Sequence, residues 1–331
     1  MIDELGNHPL LARLRPQECE AVAALCREVH VRAGVLVLEQ DAPATGLYLL
    51  LDGQVEVVVQ VADRSHDVAV LGSGAVVGEL SLLEGDARSG ANVRALSDVR
   101  AAVIDPEHAA EVLAIDAVAL QLDALARRRR ATNRALRVPP LEAGKVDGRT
   151  LELRPLWPED WRQLADGTGR VSEESLHMRF FNVPPMTERT FRQLTLTDHG
   201  AKFAWGAFVG GVLIGVGRYA LQAEDRRDAE LAVLVADDFQ GRGVASRLVA
   251  AIASAADAHG ADHLSALARA ENVPVQRLLE RFGAHWERGD EDGTVRARWS
   301  VADALAAVDD AVLKAGAHAA AAAVLGDVLD R

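Results

Sequence analysis

The spacing of the apolar residues divides the chain into two parts that are expected to fold differently. Residues 1–28 carry apolar positions at helical spacing, and from Val29 the period changes to two, in short runs separated by glycine. These runs lie at 29–31, 35–38, 47–51, 55–61, 68–70, 91–94 and 100–104. Short strands with glycine turns between them are typical of a small antiparallel β-barrel of the jelly-roll kind. A helix is predicted after the last run, with Asp105 as its N-cap and Pro106 at its first position.

The second part begins after a stretch with Pro139, Pro140 and two glycines, which we interpret as a linker. Beyond it, helical and strand patterns are interspersed, as in a mixed α/β domain. Strands are predicted at 150–155, 203–209, 212–220, 231–236, 263–268, near His285 and at 295–300, and helices at 159–164, 172–181, 187–196 and 273–282. The alanine-rich tail is predicted to be helical, with breaks at Gly316 and Gly326. The sequence thus predicts an α+β protein with a barrel domain at 1–137, a linker at 138–149, a mixed α/β domain at 150–300 and a helical tail at 301–331.

Charge and hydropathy exclude several classes of function. The formal net charge of -13 would repel a phosphate backbone, so nucleic acid is not an expected partner. The arginines at 127–130 are accordingly expected to be solvated or paired with a neighbouring domain. No apolar run is long enough to span a membrane, and Met1 is followed by acidic rather than basic residues. We therefore expect a cytoplasmic protein without membrane contact.

The cysteines and histidines do not suggest a disulfide or a metal site. Cys19 and Cys26 lie seven residues apart on what reads as one helix, so they would be separated by about 10 Å along its axis. That is too far for a disulfide, and two free thiols in a reducing compartment are expected. His259 and His263 have no apparent third ligand, so no metal is predicted.

A strand, a glycine-rich turn and a helix follow one another between residues 229 and 252. The apolar run from Leu231 to Ala236 leads into Gln240-Gly241-Arg242-Gly243, after which apolar residues recur at helical spacing. The glycines leave the first amides of the helix accessible, and the positive end of the helix dipole points the same way. The turn is therefore predicted to bind an anion. It lacks the Lys-Ser/Thr pair of a nucleoside triphosphatase loop.

A second anion site is indicated in the barrel by Gly78-Glu79-Leu80-Ser81 and Arg88-Ser89. A short helix starting at Glu79 would offer amides to an anion, and Arg88 could hold a phosphate with two donors. A carboxylate beside an anion site makes sense if it accepts a hydrogen bond from a hydroxyl, such as that of a ribose. From the residues alone, a solvated loop with an unrelated Glu and Arg is equally compatible.

Residues 5–135 resemble a cyclic nucleotide-binding domain in their strand pattern, these two motifs and the long helix that follows. The resemblance implies cAMP as the ligand, with Arg88 on the cyclic phosphate, Glu79 on the ribose hydroxyl and Ser89 on phosphate or purine. The binding residues it implies are Gly78, Glu79, Leu80, Ser81, Arg88 and Ser89. The sequence departs from the family at Ala87 and Gly90, where Pro and Ala are usual; neither change removes a ligand group.

Residues 149–300 resemble the GNAT acetyltransferases. The run from Gln240 to Ala245 matches their Gln/Arg-x-x-Gly-x-Gly/Ala signature, and Asn272, eleven residues before Gly283, matches their second motif. The resemblance implies acetyl-CoA as cosubstrate, with the pyrophosphate on the backbone amides of the turn and the pantetheine along the preceding strand. The cofactor-binding residues it implies are Val233, Val235, Gln240, Gly241, Arg242, Gly243, Ala245, Ser246 and Asn272.

Glu230, at the start of that strand, is the candidate general base. A lysine amine has a pKa of about 10.4 in solution and must lose a proton before it attacks a thioester. A carboxylate in an apolar cleft can take that proton directly or through a water, and the position matches the base of many GNAT enzymes. The alternative from the residues is a strand-start carboxylate in solvent, because residues 225–228 are charged. No general acid is assigned, since Leu279 occupies the position of the tyrosine found in many GNAT members.

The fusion of these two domains resembles the cAMP-regulated protein lysine acetyltransferases of mycobacteria and their relatives. The resemblance implies acetyl transfer to protein lysines, with acyl-CoA synthetases among the acceptors, under the control of cAMP. Two other functions stay open at this point. One is acetylation of a small amine under nucleotide control, and the other is a sensor that binds acyl-CoA without catalysis.

Overall fold

Two structural units, residues 1–133 and 134–331, make up the chain. The computed structural model describes residues 2–84, 88–180, 185–195 and 197–326. The first unit contains strands β1 (Cys26–Val31), β2 (Leu36–Leu38), β3 (Leu47–Asp52), β4 (Val55–Val61), β5 (Arg64–Leu71), β6 (Val76–Val77), β7 (Asn92–Ala95) and β8 (Val99–Ile104). Its helices are α1 (Ile2–Gly6), α2 (Pro16–Ala24), α3 (Glu79–Glu84), α4 (Ala109–Leu113) and α5 (Asp116–Ala135), the last of which extends two residues into the second unit.

The eight strands form two antiparallel sheets, in the orders β1-β8-β3-β6 and β2-β7-β4-β5. Strand β3 shows why its sequence is apolar at consecutive positions. Leu47 and Leu49 face a core shared with Leu122 of α5, whereas Tyr48 and Leu50 face the second core of this unit. Because successive side chains of a strand point to opposite faces, a strand buried on both faces reads as a continuous apolar run. The predicted jelly-roll barrel is confirmed.

Three details of this unit differ from the sequence prediction. Cys26 is the first residue of β1, so Cys19 and Cys26 lie in different elements, although both are free thiols as expected. Asp105 is the N-cap residue of a 3₁₀ turn with Pro106 at its first position, as predicted, but its carboxylate binds Arg27 at 3.0 Å and makes no capping hydrogen bond. The predicted single helix is divided into a 3₁₀ turn at Pro106–His108, α4 and α5.

The second unit contains strands β9 (Leu141–Val146), β10 (Arg149–Pro155), β11 (Lys202–Val209), β12 (Val212–Leu221), β13 (Asp228–Val235), β14 (His263–Arg269), β15 (Trp286–Arg288) and β16 (Thr294–Ser300). Its helices are α6 (Trp161–Gly167), α7 (Glu173–Arg179), α8 (Glu188–Thr195), α9 (Val244–Ala258), α10 (Val273–Glu280), α11 (Val301–Ala306) and α12 (Ala311–Leu325). The strands form one sheet in the order β15-β16-β14-β13-β12-β11-β10-β9, in which β13 and β14 are parallel and the other neighbours antiparallel.

Helices cover both faces of this sheet. On one face α9 lies close to β12, because a Cβ at Gly217 would come within 2.8 Å of Ile252. On the other face Leu164 of α6 packs against a buried cluster that includes Phe208 and Leu213. The sheet is therefore buried on both faces, with α9 on one and α6 on the other.

The predicted linker is wrong at its centre. Leu141–Val146 forms strand β9, which pairs with β10 through a turn at Asp147 and Gly148, both with positive φ. Ala143 and Val146 are buried, so the segment belongs to the sheet. Glycine marks a tight hairpin turn here rather than a flexible connection, because it adopts left-handed backbone conformations without strain.

The alanine-rich tail is helical as predicted, and it is part of the second unit. Helix α12 packs against α9, with Ala317 and Ala321 fully buried. Gly316 does not break the helix, contrary to the prediction; it lies inside α12 at a position where a Cβ would be 3.2 Å from the side chain of Leu141. The small residue permits a close approach between helix and sheet. None of the helices in the described part of the chain is long and apolar enough to cross a bilayer.

Candidate functional site

The six barrel residues singled out from the sequence are close together around helix α3. Gly78 precedes the helix with φ +94°, and a Cβ there would lie 2.2 Å from the carbonyl oxygen of Gly46, so only glycine fits. The hydroxyl of Ser81 donates to the carbonyl oxygen of Arg88 at 2.9 Å, which fixes the two motifs to each other. Leu80 is half-buried and lies next to Gly90. Ala87, one of the two departures from the family pattern, lies outside the described residues.

Glu79 is a buried carboxylate with one free oxygen. Only 1% of the residue is exposed, and its Oε2 forms an ion pair with Arg129 of α5, which also donates to the carbonyl oxygen of Val76 at 2.9 Å. Burial raises the pKa of Glu79, and the positive charge of Arg129 opposes that rise. Oε1 has no hydrogen-bond partner among the described residues. A buried acceptor without a donor is costly, so this oxygen is suited to a ligand hydroxyl.

Arg88 and Ser89 belong to a short bridge with residues 40–43. The backbone of Ser89 exchanges hydrogen bonds with Asp41 and Ala42, and the Ser89 hydroxyl donates to the carbonyl oxygen of Ala91 at 2.8 Å. Arg88 is exposed, and its guanidinium donates to the carbonyl oxygen of Asp41. An exposed guanidinium with several remaining donors is available to an anion.

Arg129 is the residue at this site that sequence reasoning missed. It lies inside the run of four arginines that we expected to be solvated or to pair with a neighbouring domain. Arg127 of that run pairs with Asp123 one turn earlier, but Arg129 pairs within its own unit. The signal was in the spacing, because Arg129 lies seven residues after Leu122 and four after Leu125, on the apolar stripe of the helix.

The cleft of the second unit opens where β13 and β14 separate. The two parallel strands pair only from Asp228↔His263 to Glu230↔Ser265, although β13 continues to Val235 and β14 to Arg269. A cavity of about 1050 Å³ fills the space beyond the last pair, with Val233 and Val235 in its wall. The splayed strand implied by the GNAT resemblance is therefore present, and it leaves backbone groups of β13 without a strand partner on that side.

The predicted anion turn lies at one end of this cleft. Gly241 and Gly243 have φ of +71° and +79°, and Gly243 is the N-cap of α9 with no side chain capping the helix. The first amides of α9, including those of Ala245 and Ser246, therefore face the cleft mouth with the helix dipole behind them. Arg242 forms an ion pair with Asp147 of the β9–β10 turn. Its charge is therefore paired with a carboxylate of a neighbouring turn.

Two polar side chains shape the walls of the cleft. Gln240 donates to the carbonyl oxygen of Val235 at 3.2 Å and to Asp237 at 2.8 Å, which holds the turn against the end of β13. Asn272 is the N-cap of α10 and accepts from the amide of Val275 at 3.3 Å. Its side-chain oxygen is therefore used inside the protein, and its NH₂ group remains as a donor at the cleft wall.

Glu230 lies in the cleft wall but remains exposed to solvent. Its Oε2 accepts a hydrogen bond from Gln222 at 2.7 Å. Both readings of the sequence contain part of this result, because the carboxylate is at once cleft-lining and solvated. Leu279, at the position of the family tyrosine, is buried, and as a leucine it offers no hydroxyl.

Two arginines close to Glu230 were not singled out from the sequence. Arg179 ends α7, and Arg218 lies on β12; both are half-buried. Burial and the positive charge of Arg218 lower the pKa of Arg179 to about 10, while the negative charge of Glu230 acts in the opposite direction. Burial also lowers the pKa of Arg218.

Two histidines of the second unit have different surroundings. His177 is exposed, and only its backbone carbonyl is used, by Arg269 at 3.1 Å. His259 is bound by the hydroxyl of Tyr219 and donates to the carbonyl oxygen of Ala321, so it is a packed residue. Within the described ranges no group of three or more His, Cys, Asp or Glu residues could hold a metal ion.

Comparison with known proteins assigns the two units to families. Residues 28–116 match the cyclic nucleotide-binding domain family, and residues 150–285 match the acetyltransferase (GNAT) domain family. Acetyltransferase Pat of Mycolicibacterium smegmatis is 30% identical over 278 residues, which cover 83% of this chain and 82% of that protein. An acetyltransferase of Pseudomonas aeruginosa is 29% identical over 153 residues, 45% of this chain and 82% of that protein.

Among solved structures, a cAMP-binding acyltransferase from Mycobacterium smegmatis is 25% identical and covers 98% of this chain and 96% of that chain, with a TM-score of 0.47. The Pat relative spans both units, in the same order in which the sequence carries the two motifs. The chain therefore belongs to the Pat family of acetyltransferases, with a cyclic nucleotide-binding domain followed by a GNAT domain that uses acetyl-CoA.

Proposed function

We propose that this chain is a cAMP-responsive enzyme that transfers acetyl from acetyl-CoA to the ε-amino group of protein lysines, with Glu230 as general base. The observation that supports it best is the cleft between β13 and β14. It has the glycine turn at one end, accessible strand backbone along its wall, and a carboxylate at the other end. Acyl transfer needs the CoA donor, its thioester carbonyl and a proton acceptor to be positioned one after another along such a cleft.

The donor half of the proposal rests on backbone groups. The pyrophosphate of acetyl-CoA would be bound by the amides of Gly241, Arg242, Gly243, Ala245 and Ser246. The pantetheine would pair with β13 near Val233 and Val235, and the NH₂ group of Asn272 and the side chain of Gln240 would flank the arm. Free amides at a helix N-terminus suit a pyrophosphate because they add hydrogen bonds to a favourable dipole.

The chemical half rests on Glu230. An amine of pKa about 10.4 arrives protonated at neutral pH, so its proton must be removed before nitrogen attacks the thioester carbonyl. An exposed carboxylate oriented by Gln222 can accept that proton directly or through one water. Amides of β13 would polarise the acetyl carbonyl as the C–S bond breaks. Thiolate is a good leaving group, and the proposal includes no dedicated general acid.

The regulation that we propose depends on the first unit. We propose that cAMP binds there, with its phosphate on Arg88 and Ser89 and its ribose hydroxyl on the free oxygen of Glu79. Gly78, Leu80 and Ser81 would form the wall at the start of α3. The cAMP-binding acyltransferase from Mycobacterium smegmatis, by its name, binds this nucleotide. Acyl-CoA synthetases in the cytoplasm are the acceptors that we propose.

Substitution of Glu230 tests the chemistry. Glu230→Gln should lower acetyl transfer to a lysine-bearing acceptor by about 10²-fold or more, the usual contribution of a general base, and should leave the affinity for CoA unchanged. Glu224→Gln, an exposed carboxylate in the preceding loop, is the matched control and should keep full activity. Turnover is followed by release of free CoA, and affinity by calorimetry. Unchanged turnover in Glu230→Gln would remove this residue from the chemistry.

Two alternatives are separated by the choice of acceptor. A small-amine acetyltransferase would acetylate free amines better than a protein lysine in a competition assay. A sensor without catalysis would bind acetyl-CoA and release no CoA with any amine, with or without cAMP. The proposed function requires acetyl-lysine on an acyl-CoA synthetase, detected by mass spectrometry, at a rate that changes when cAMP is added.

A further inference from the structure

The arginine pair, Arg179 and Arg218, is not used by the chemistry described above. Both side chains are half-buried, and within the described residues neither has a hydrogen bond or an ion pair. Arg179 stacks over the ring of Phe180 with its guanidinium carbon 4.7 Å from the ring centroid. Two partly buried positive charges without a hydrogen-bonded anionic partner are an unfavourable arrangement unless a ligand supplies one.

The register of β12 and β13 fixes where Arg218 points. Ala220 is opposite Glu230 and Arg218 is opposite Ala232, so Arg218 and Glu230 are diagonal neighbours on one face of the sheet. The adjacent residue Gly217 contacts Ile252 of α9, which covers the other face. Arg218 therefore lies on the face of the sheet that carries the proposed general base.

Arg179 reaches the same place from α7. It lines the cleft together with Glu230, and the charges of Arg218 and Glu230 both act on its guanidinium. The end of α7 is held in position by two contacts. Arg269 donates to the carbonyl oxygen of His177 at 3.1 Å, and Asp237 accepts from the hydroxyl of Ser175 at 2.8 Å. The positions of the two arginines are thus determined by helix α7 and by the pairing of β12 with β13.

The negative charge of Glu230 acts on Arg179, but Glu230 is not hydrogen-bonded to either arginine in the described part of the chain. Its carboxylate is bound by Gln222 at 2.7 Å, and among the described ion pairs none joins Glu230 to either arginine. Desolvation lowers the pKa of both Arg179 and Arg218, and the positive charge of Arg218 lowers that of Arg179 further. An anion between the two guanidinium groups would offset both the desolvation of the arginines and the repulsion between them. Planar guanidinium groups bind carboxylates through paired hydrogen bonds.

We propose that Arg179 and Arg218 form a carboxylate-binding subsite beside Glu230, which selects reactants that carry a carboxylate close to the reacting group. This inference rests on the proposed acyl transfer at the same cleft. Two sources could supply the carboxylate. One is an acidic side chain next to the acceptor lysine, and the other is the far end of a dicarboxylic acyl chain on CoA.

The test compares matched pairs of reactants on the full-length protein. In the first arm, acetyl-CoA is used with two lysine peptides that differ only by Glu or Gln beside the lysine. In the second arm, a neutral lysine peptide is used with succinyl-CoA or butyryl-CoA, which have acyl chains of equal carbon number. At least one anionic reactant should have a kcat/KM about tenfold or more above its neutral partner, because a hydrogen-bonded charge is worth that much. The arm that responds identifies the source.

Substitutions then assign the preference to the pair. Arg179→Gln and Arg218→Gln should each reduce the anionic-to-neutral ratio to about one, and Arg218→Lys should retain part of it. Arg189→Gln, an exposed arginine on α8, is the control and should keep both the activity and the ratio. Equal kcat/KM values in both arms for the unmodified protein would overturn the proposal. A preference that survives in Arg179→Gln and Arg218→Gln would overturn it as well.

Equilibrium binding separates this proposal from the proposed function. Calorimetry measures the affinities of succinyl-CoA and butyryl-CoA, and of the Glu and Gln peptides with CoA bound, without any turnover. Absence of acyl transfer with a retained anionic preference in binding would contradict the enzymatic function and support the subsite. Transfer without any anionic preference, in rate or in binding, would support the function and contradict the subsite.

Discussion

The carboxylate of Glu79 has one oxygen on Arg129, and its other oxygen has no hydrogen-bond partner among the described residues. Removing the arginine leaves a buried charge unpaired, which costs about 3 kcal/mol or more. We expect Arg129→Gln to lower the stability of the first unit by that order and to weaken cAMP binding. Arg127→Gln on the same helix removes only an exposed pair with Asp123 and should change stability by less than about 1 kcal/mol.

Urea denaturation followed by circular dichroism, together with calorimetric cAMP titration, checks this expectation. Glu79→Gln combined with Arg129→Gln should recover part of the lost stability, because no charge is then left buried. Equal losses of stability in Arg127→Gln and Arg129→Gln would show that the buried pair of Arg129 with Glu79 stabilises the first unit no more than an exposed pair does.

A second residue-scale prediction concerns two histidines of the second unit, the buried His199 and the half-buried His259. Burial lowers the pKa of His199 to about 4, and burial is also the main reason why the pKa of His259 is lowered. An unfolded histidine has a pKa of about 6.5, so the unfolded chain binds protons more readily than the folded one. Their contribution to stability is complete above that value and is lost as the pH falls towards about 4.

For His199 alone the loss between about pH 7.5 and about pH 5 should be about 2 kcal/mol. Urea unfolding monitored by the tryptophans, all of which lie in the second unit, measures it at the two pH values. His199→Asn should flatten the pH dependence, because Asn has no titrating group and tolerates the positive φ of this position. His285→Gln, at an exposed histidine, should leave it unchanged.

At the scale of elements, an ion pair fixes β10 to the turn that leads into α6. Arg154 binds Asp160 at 2.7 and 2.8 Å, and its guanidinium lies 3.4 Å from the ring centroid of Trp157. The residues Arg154 and Asp160 are 7% and 1% exposed, so removing one partner leaves a buried charge. Asp160→Ala should therefore destabilise the second unit by about 3–5 kcal/mol. Asp166→Ala, at an exposed residue of α6, should have an effect within about 0.5 kcal/mol in the same thermal melt.

Helix α12 offers a matched pair within one element. Ala317 is fully buried against the second unit, and Ala319 is exposed. A carboxylate at the buried position has no partner, so Ala317→Glu should lower the stability by about 3 kcal/mol or more. Ala319→Glu should be close to neutral. An unchanged melting temperature in Ala317→Glu would mean that α12 does not pack against α9 in solution.

At the scale of the whole molecule, the proposed regulation has a thermodynamic consequence that can be measured. If cAMP changes the affinity for acetyl-CoA by some factor, acetyl-CoA must change the affinity for cAMP by the same factor. Calorimetric titrations of each ligand with and without the other give both factors. Arg88→Ala should remove both effects, because it removes the phosphate contact in the first unit. Factors of one in both directions would mean that the binding sites are not coupled.

Much of the organisation could be predicted from the chain itself. The change of apolar period at Val29 predicted the barrel, because short strands can be recognised from their own residues without knowing which strands they pair with. The two motifs, around Glu79 and around Gly241, were recognisable because glycine is required wherever a backbone must turn with positive φ. Glu230 could be named because it starts the strand that leads into the second motif, at the position of the base in many GNAT enzymes. The two domains, their order and their families follow from such local signals.

Other features depended on the tertiary structure, because they join residues that are far apart in sequence. The partner of Glu79 is Arg129, fifty residues later, on a helix whose arginines look alike in the sequence. The predicted linker contains strand β9, because the turn at Asp147 and Gly148 lets Leu141–Val146 pair with β10, which the sequence alone does not show. Arg179 and Arg218 meet beside Glu230 only through the register of β12 and β13 and the placement of α7. Sequence determined which residues can carry charge or turn the backbone, and the packed structure decided which of those charges face one another.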